Sequence, residues 1–98
     1  MQIAAGSTVP GATAWQIYDA AGIYVDVETS GARFSRVPVY VTALGGHAHH
    51  WATVGGAAVY QPTAAGFRVY VRFASGAALT PAYANGNGWI VHWIGVAD

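Results

Sequence analysis

The sequence predicts an all-β domain, a six-stranded antiparallel β-sandwich that assembles with further copies of itself. Three observations carry this. Large apolar residues alternate with period two in several short runs. Turns rich in Gly, Asn and Pro separate those runs. Thirteen glycines are spread so that few stretches leave room for a helix.

The first element is a weak strand from Ala14 to Tyr18. From Gly22 to Glu28, Ile23, Val25 and Val27 alternate with Tyr24, Asp26 and Glu28. From Val37 to Leu44, Val39 and Val41 alternate with Tyr40 and Thr42. A weaker run from Thr53 to Tyr60 is interrupted by Gly55-Gly56 and reads as bulged. From Phe67 to Phe73, Phe67, Val69 and Val71 alternate with Arg68, Tyr70 and Arg72. In the last run Trp89, Val91 and Trp93 alternate with Ile90, His92 and Ile94. Alternation puts each set on one face of a sheet. Residues 1–13, small and polar, read as a flexible lead-in to a single domain over 14–98.

The outward sets carry Tyr24, Tyr40, Tyr70, Arg68, Arg72 and His92, where an ordinary exposed face carries Lys and Glu. Tyr and Arg are enriched at protein interfaces. The composition agrees: 54% of the 98 residues are hydrophobic and 8% charged, there is no Lys, and Glu28 is the only Glu. An average soluble domain is roughly 25% charged. A surface this poor in charge associates. Tyr24, Tyr40, Tyr70, Arg72, Ile90, His92 and Ile94 are the predicted oligomer interface. The alternative is a monomer solubilised by Ser, Thr, Asn and Gln.

Net charge is zero with His neutral, and the four Arg form no basic run. Nucleic-acid binding, which needs several phosphate-neutralising cations on one face, is excluded. The N-terminus shows no signal-peptide pattern, and no apolar run approaches the ~18 residues of a membrane span. Cys is absent.

From Gly22 to Val96 the chain resembles the H-type lectins. The resemblance is clearest in Tyr60-Gln61-Pro62-Thr63-Ala64-Ala65-Gly66-Phe67 and in the closing strand Trp89-Ile90-Val91-His92-Trp93-Ile94-Gly95-Val96. It implies a six-stranded sandwich assembling as a symmetric trimer, or a doubled trimer (a hexamer), with a galactose- or N-acetylgalactosamine-type sugar held near the subunit boundary. The family's Trp-His sugar pair follows the strand that Gly-Phe opens, and here that place reads Phe73-Ala74-Ser75-Gly76. The family's cysteines are missing too. Fold and assembly carry over on this resemblance, while no sugar-contacting residue does.

Two loops hold the candidate chemistry. Trp51 beside His49 and His50 offers an aromatic platform for a sugar, and Tyr83, Asn85 and Asn87 offer polar partners for its hydroxyls. The alternatives are a core or interface role for Trp51 and plain turn chemistry for Asn85-Gly86-Asn87-Gly88. His47-Ala48-His49 on an extended segment points two imidazoles to one side, a weak metal motif. It is similar to the Gly-x-His-x-His iron site of trimeric phage spike tips, which draws on three copies.

Catalysis has little to stand on. The carboxylates are Asp19, Asp26, Glu28 and Asp98, and no Ser sits in a nucleophile motif. Asp26 and Glu28 share a face about 7 Å apart by strand rise, and fit cross-strand pairing with Arg68 or Arg72 better than glycosidase work. The chain therefore reads as a non-enzymatic carbohydrate-binding module, needing no cofactor, displayed outside the cell or on a virion. The alternative is a trimerising attachment module of a phage tail or secreted protein, without a small ligand.

Overall fold

The structure, a computed structural model, describes residues 1–98. It is predominantly β, with two antiparallel sheets enclosing one core in a β-sandwich-like arrangement. The strands are β1 (Gln2–Ser7), β2 (Gln16–Ile17), β3 (Gly22–Glu28), β4 (Val39–Gly45), β5 (Thr53–Val54), β6 (Tyr60–Thr63), β7 (Gly66–Phe73) and β8 (Ile90–Ala97). A short helix α1 (Pro81–Gly86) precedes β8. The smaller sheet has the order β1-β8-β4. The larger runs β2-β3-β7-β5, with β6 also pairing to β7.

The alternation in β3, β7 and β8 builds the core. Ile23, Val25, Val69, Val71, Val91 and Trp89 are at most 1% exposed. Each such side chain contributes about 1.5–3 kcal/mol by leaving water. Strands β3 and β7 pair without slip from Gly22 opposite Arg72 to Glu28 opposite Gly66, so Ile23 faces Val71 and Val25 faces Val69 across the ladder. Trp15 covers one end of the core, its Nε1 donating to the Trp89 carbonyl at 3.2 Å.

Four expectations are corrected. The first concerns residues 1–13, expected as a loose lead-in. Residues 2–7 form β1, paired with β8 from Gln2 opposite Ala97 to Ser7 opposite His92. Thr13 is buried and its backbone exchanges two hydrogen bonds with the Asn85 amide. At Gly6 a Cβ would lie 3.0 Å from the Trp93 ring, and no bulky alternation advertises the strand.

The second concerns the parity of β4. Tyr40 and Thr42 point inward and Val39 and Val41 outward, so Tyr40 belongs to the core and not to an interface. The Tyr40 hydroxyl meets Thr29 Oγ1 and the Thr63 carbonyl, each at 2.7 Å, and Thr42 Oγ1 donates to the Gly56 carbonyl at 2.8 Å. With those hydroxyls satisfied, their burial costs little.

The third is the run from Thr53 to Tyr60, which divides into β5 and β6. Gly55, with φ +102°, approaches β7 so closely that a Cβ there would lie 2.2 Å from the Tyr70 carbonyl oxygen. The fourth is α1, a helix in a chain whose glycines leave little room for one. Thr80 accepts from the Tyr83 amide, and Pro81 starts the helix.

Candidate functional site

The loops 45–51 and 83–89 converge. The His47 amide donates to the Asn87 carbonyl, and Trp89 Nε1 donates to the Ala48 carbonyl, each at 2.8 Å. The His49 and Tyr83 rings lie 6.2 Å apart. Gly88, with φ +66°, makes the approach possible: a Cβ there would strike the His47 ring at 2.4 Å. His49 takes the left-handed conformation, φ 72°, and opens the short 3₁₀ turn His50–Ala52. Trp51 on that turn is 87% exposed, so it has no place in the core of this chain.

The two amide side chains of the cluster are committed. The Asn85 amide holds the Thr13 backbone through both its oxygen and its nitrogen. Asn87 Nδ2 donates to the Tyr83 carbonyl at 2.9 Å, closing α1. His50 Nδ1 is buried without a partner. The structure contains no group of three or more His, Cys, Asp or Glu side chains placed to hold a metal ion. His47 and His49 of one chain thus make no metal centre. The exposed side chains at this end are Trp51, the half-exposed Tyr83 and the imidazoles of His47 and His49, which make no hydrogen bond.

The predicted interface residues fall on two surfaces. Ile90, His92 and Ile94 lie on the outer face of the smaller sheet. The register places Ile3 and Val39 on either side of Val96, Ala5 and Val41 on either side of Ile94, and Ser7 and Ala43 on either side of His92. Val39 is 70% exposed and Val41 61%. No charged side chain stands on this face of the three strands. An antiparallel sheet with a wetted face normally shows polar residues there.

Tyr24, Tyr70 and Arg72 lie instead on the outer face of the larger sheet. Arg68 donates to Asp26 through Nε at 2.7 Å and Nη2 at 2.9 Å, and its guanidinium lies 4.2 Å from the Tyr24 ring centroid. This hydrogen bonding holds the Asp26 carboxyl below its ordinary range, against a smaller opposing effect of burial, and raises Arg68 further. Tyr18 and Tyr60 pack edge-on against Tyr70, with centroids at 4.9 Å and 5.0 Å. Sequence reasoning passed over both, because they sit on a turn and on a short edge strand where no periodicity marks them.

Fold and surfaces define a β-sandwich-like domain with one uncharged sheet face, one tyrosine-rich face and an aromatic loop end. No protein-family model, curated protein or solved structure matches the chain.

Proposed function

We propose that this chain is a self-associating, lectin-like carbohydrate-binding module that works as a symmetric trimer or hexamer. The observation that carries it is the outer face of β1, β8 and β4, where Ile3, Val39, Val41, Ile94 and Val96 stand exposed with no charge among them. Leaving that patch in water is unfavourable, and copies of the chain cover it most simply. Association multiplies weak sites into avidity, which suits a binder of galactose- or N-acetylgalactosamine-type sugars on a cell or virion surface. The exposed aromatic residues supply the ring-stacking surfaces such ligands use. Light scattering at micromolar concentration gives a mass of three or six chains under this proposal, and a glycan array gives binding to neutral sugars. A monomer with no array signal refutes it.

The second reading, an attachment module without a small ligand, draws on the amide groups of Asn85 and Asn87, which are engaged within the chain itself. An oligomer that binds no glycan favours it.

A further inference from the structure

We infer that a neutral pyranose-type saccharide is held in the tyrosine-walled groove on the outer face of the larger sheet, between Asp19 and Arg72, and not at the loop end around Trp51. This rests on the carbohydrate-binding reading above and names the site.

The groove has a volume of about 610 Å³ and opens to solvent between the β2–β3 turn and the segment leading from β5 to β6. Ligand sites commonly span roughly 300–1,000 Å³ and combine apolar walls with a few placed polar groups. The walls are Tyr18, Tyr60 and Tyr70. Tyr18 is 61% and Tyr60 50% exposed, so their rings are open to a ligand while their contacts to Tyr70 hold them in place. Ring faces of this kind pack against the C–H surface of a sugar.

The two charged side chains that line the groove differ from the pair higher on the same face. Arg68 is consumed by Asp26 and Tyr24. Arg72 makes no ion pair and donates no side-chain hydrogen bond, because the residues opposite it are Gly22 on β3 and Val54 on β5. Asp19 is fixed through one oxygen only: Oδ1 accepts from the Ala21 and Gly22 amides at 2.9 Å and 2.7 Å, which leaves Oδ2 free. Gly22 keeps the space between them open. A Cβ there would come 3.4 Å from Asp19 Oδ1 and 3.8 Å from Arg72 Cβ.

Ligand charge follows from this pair. A guanidinium only donates hydrogen bonds and an ionised carboxylate only accepts them. A sugar hydroxyl does both, so a polyol offers a partner to either group. An acidic ligand meets Asp19 and a basic one meets Arg72, whereas an uncharged polyol opposes neither. Apolar walls with one donor and one acceptor describe a neutral saccharide.

The test is a glycan array of neutral and sialylated oligosaccharides, read with the full chain and the variants Arg72→Ala, Tyr60→Ala and Trp51→Ala. Thermal unfolding and mass by light scattering accompany each variant. The expected result is binding of a neutral glycan by the parent chain. Arg72→Ala and Tyr60→Ala lower it at least tenfold at unchanged mass and with folding retained, while Trp51→Ala stays within twofold. Because Arg72 is exposed and unpaired, its variant keeps the fold even where Tyr60→Ala weakens it. Loss of binding in Trp51→Ala with retention in Arg72→Ala overturns the groove and leaves the lectin reading standing. Preference for sialylated glycans overturns the neutral class. A changed mass in Arg72→Ala makes the groove an assembly contact and overturns the site. No binding by the parent chain to any glycan overturns the lectin reading and this inference with it.

Discussion

Arg68 grips the Asp26 carboxylate at both oxygens, at 2.7 Å and 2.9 Å, across the β3–β7 ladder. The Asp26 carboxyl is thereby held below its ordinary range. A carboxyl more acidic in the folded chain than in the unfolded one adds stability above its unfolded value, near 3.9. That stability is lost as pH falls through the lowered folded value. Urea midpoints measured from pH 7 down to pH 2 therefore show an acid decline that Asp26→Asn makes shallower. Equal acid slopes in the two proteins contradict the pairing. The contribution is modest because the pair lies at the surface.

Tyr40 tests the packing of β4. Tyr40→Phe removes the hydroxyl that meets Thr29 and the Thr63 carbonyl and keeps the ring against Phe67. Leaving a buried partner unsatisfied costs on the order of 1–3 kcal/mol. For a domain of this size each kcal/mol lowers Tm by about 4–8 °C. A Tm within 1 °C of the parent's shows that water replaces the hydroxyl.

Tyr40 also marks what the sequence revealed and what it hid. Strands β3, β7 and β8 were legible because one parity in each supplies the buried residues and each begins at or just after a Gly. Strand β4 was ambiguous because Val39 and Val41 look like core while the buried parity is Tyr40 and Thr42. An apolar outer face removes the contrast that parity depends on. Strand β1, reading Gln-Ile-Ala-Ala-Gly-Ser, offered no contrast either. The convergence of loops 45–51 and 83–89 was open to sequence reasoning as a question only, since it depends on the β4–β8 pairing. The groove joins a turn, a bulged segment and β7, so its parts share no local pattern.

The uncharged face predicts its own disruption. Ile94 lies at its centre, between Ala5 and Val41. Under the proposed assembly, Ile94→Asp puts a carboxylate where a partner copy would dehydrate it, and light scattering should show a single-chain mass. Because Ile94 is 40% exposed in the single chain, the variant still folds, with an unchanged far-ultraviolet circular dichroism spectrum. An oligomer of full mass removes this face from the interface.

Trp51 predicts a silent change in stability. With 87% of its surface exposed it buries little in the single chain. Trp51→Ala should leave the unfolding free energy of a dissociated chain, such as the Ile94→Asp background, within about 0.5 kcal/mol. A larger loss contradicts the exposed placement of the indole. In the assembled protein, a fall in mass on the same substitution assigns Trp51 to the subunit contact.

His92 predicts how the proposed assembly responds to a charge placed on this face. It lies on the uncharged face between Ser7 and Ala43, with Ile90 and Ile94 along its own strand, and it makes no hydrogen bond. Its ring leans over Gly45, where a Cβ would come 2.6 Å from Nε2. No carboxylate shares the face of these strands to neutralise a cation. A charge carried into a contact between copies must leave water, which is costly when nothing there pairs with it. His92→Arg is therefore expected to lower the mass measured by light scattering toward that of one chain at neutral pH, while His92→Leu keeps the mass of the parent. Full mass in His92→Arg places the contact between copies elsewhere on the chain.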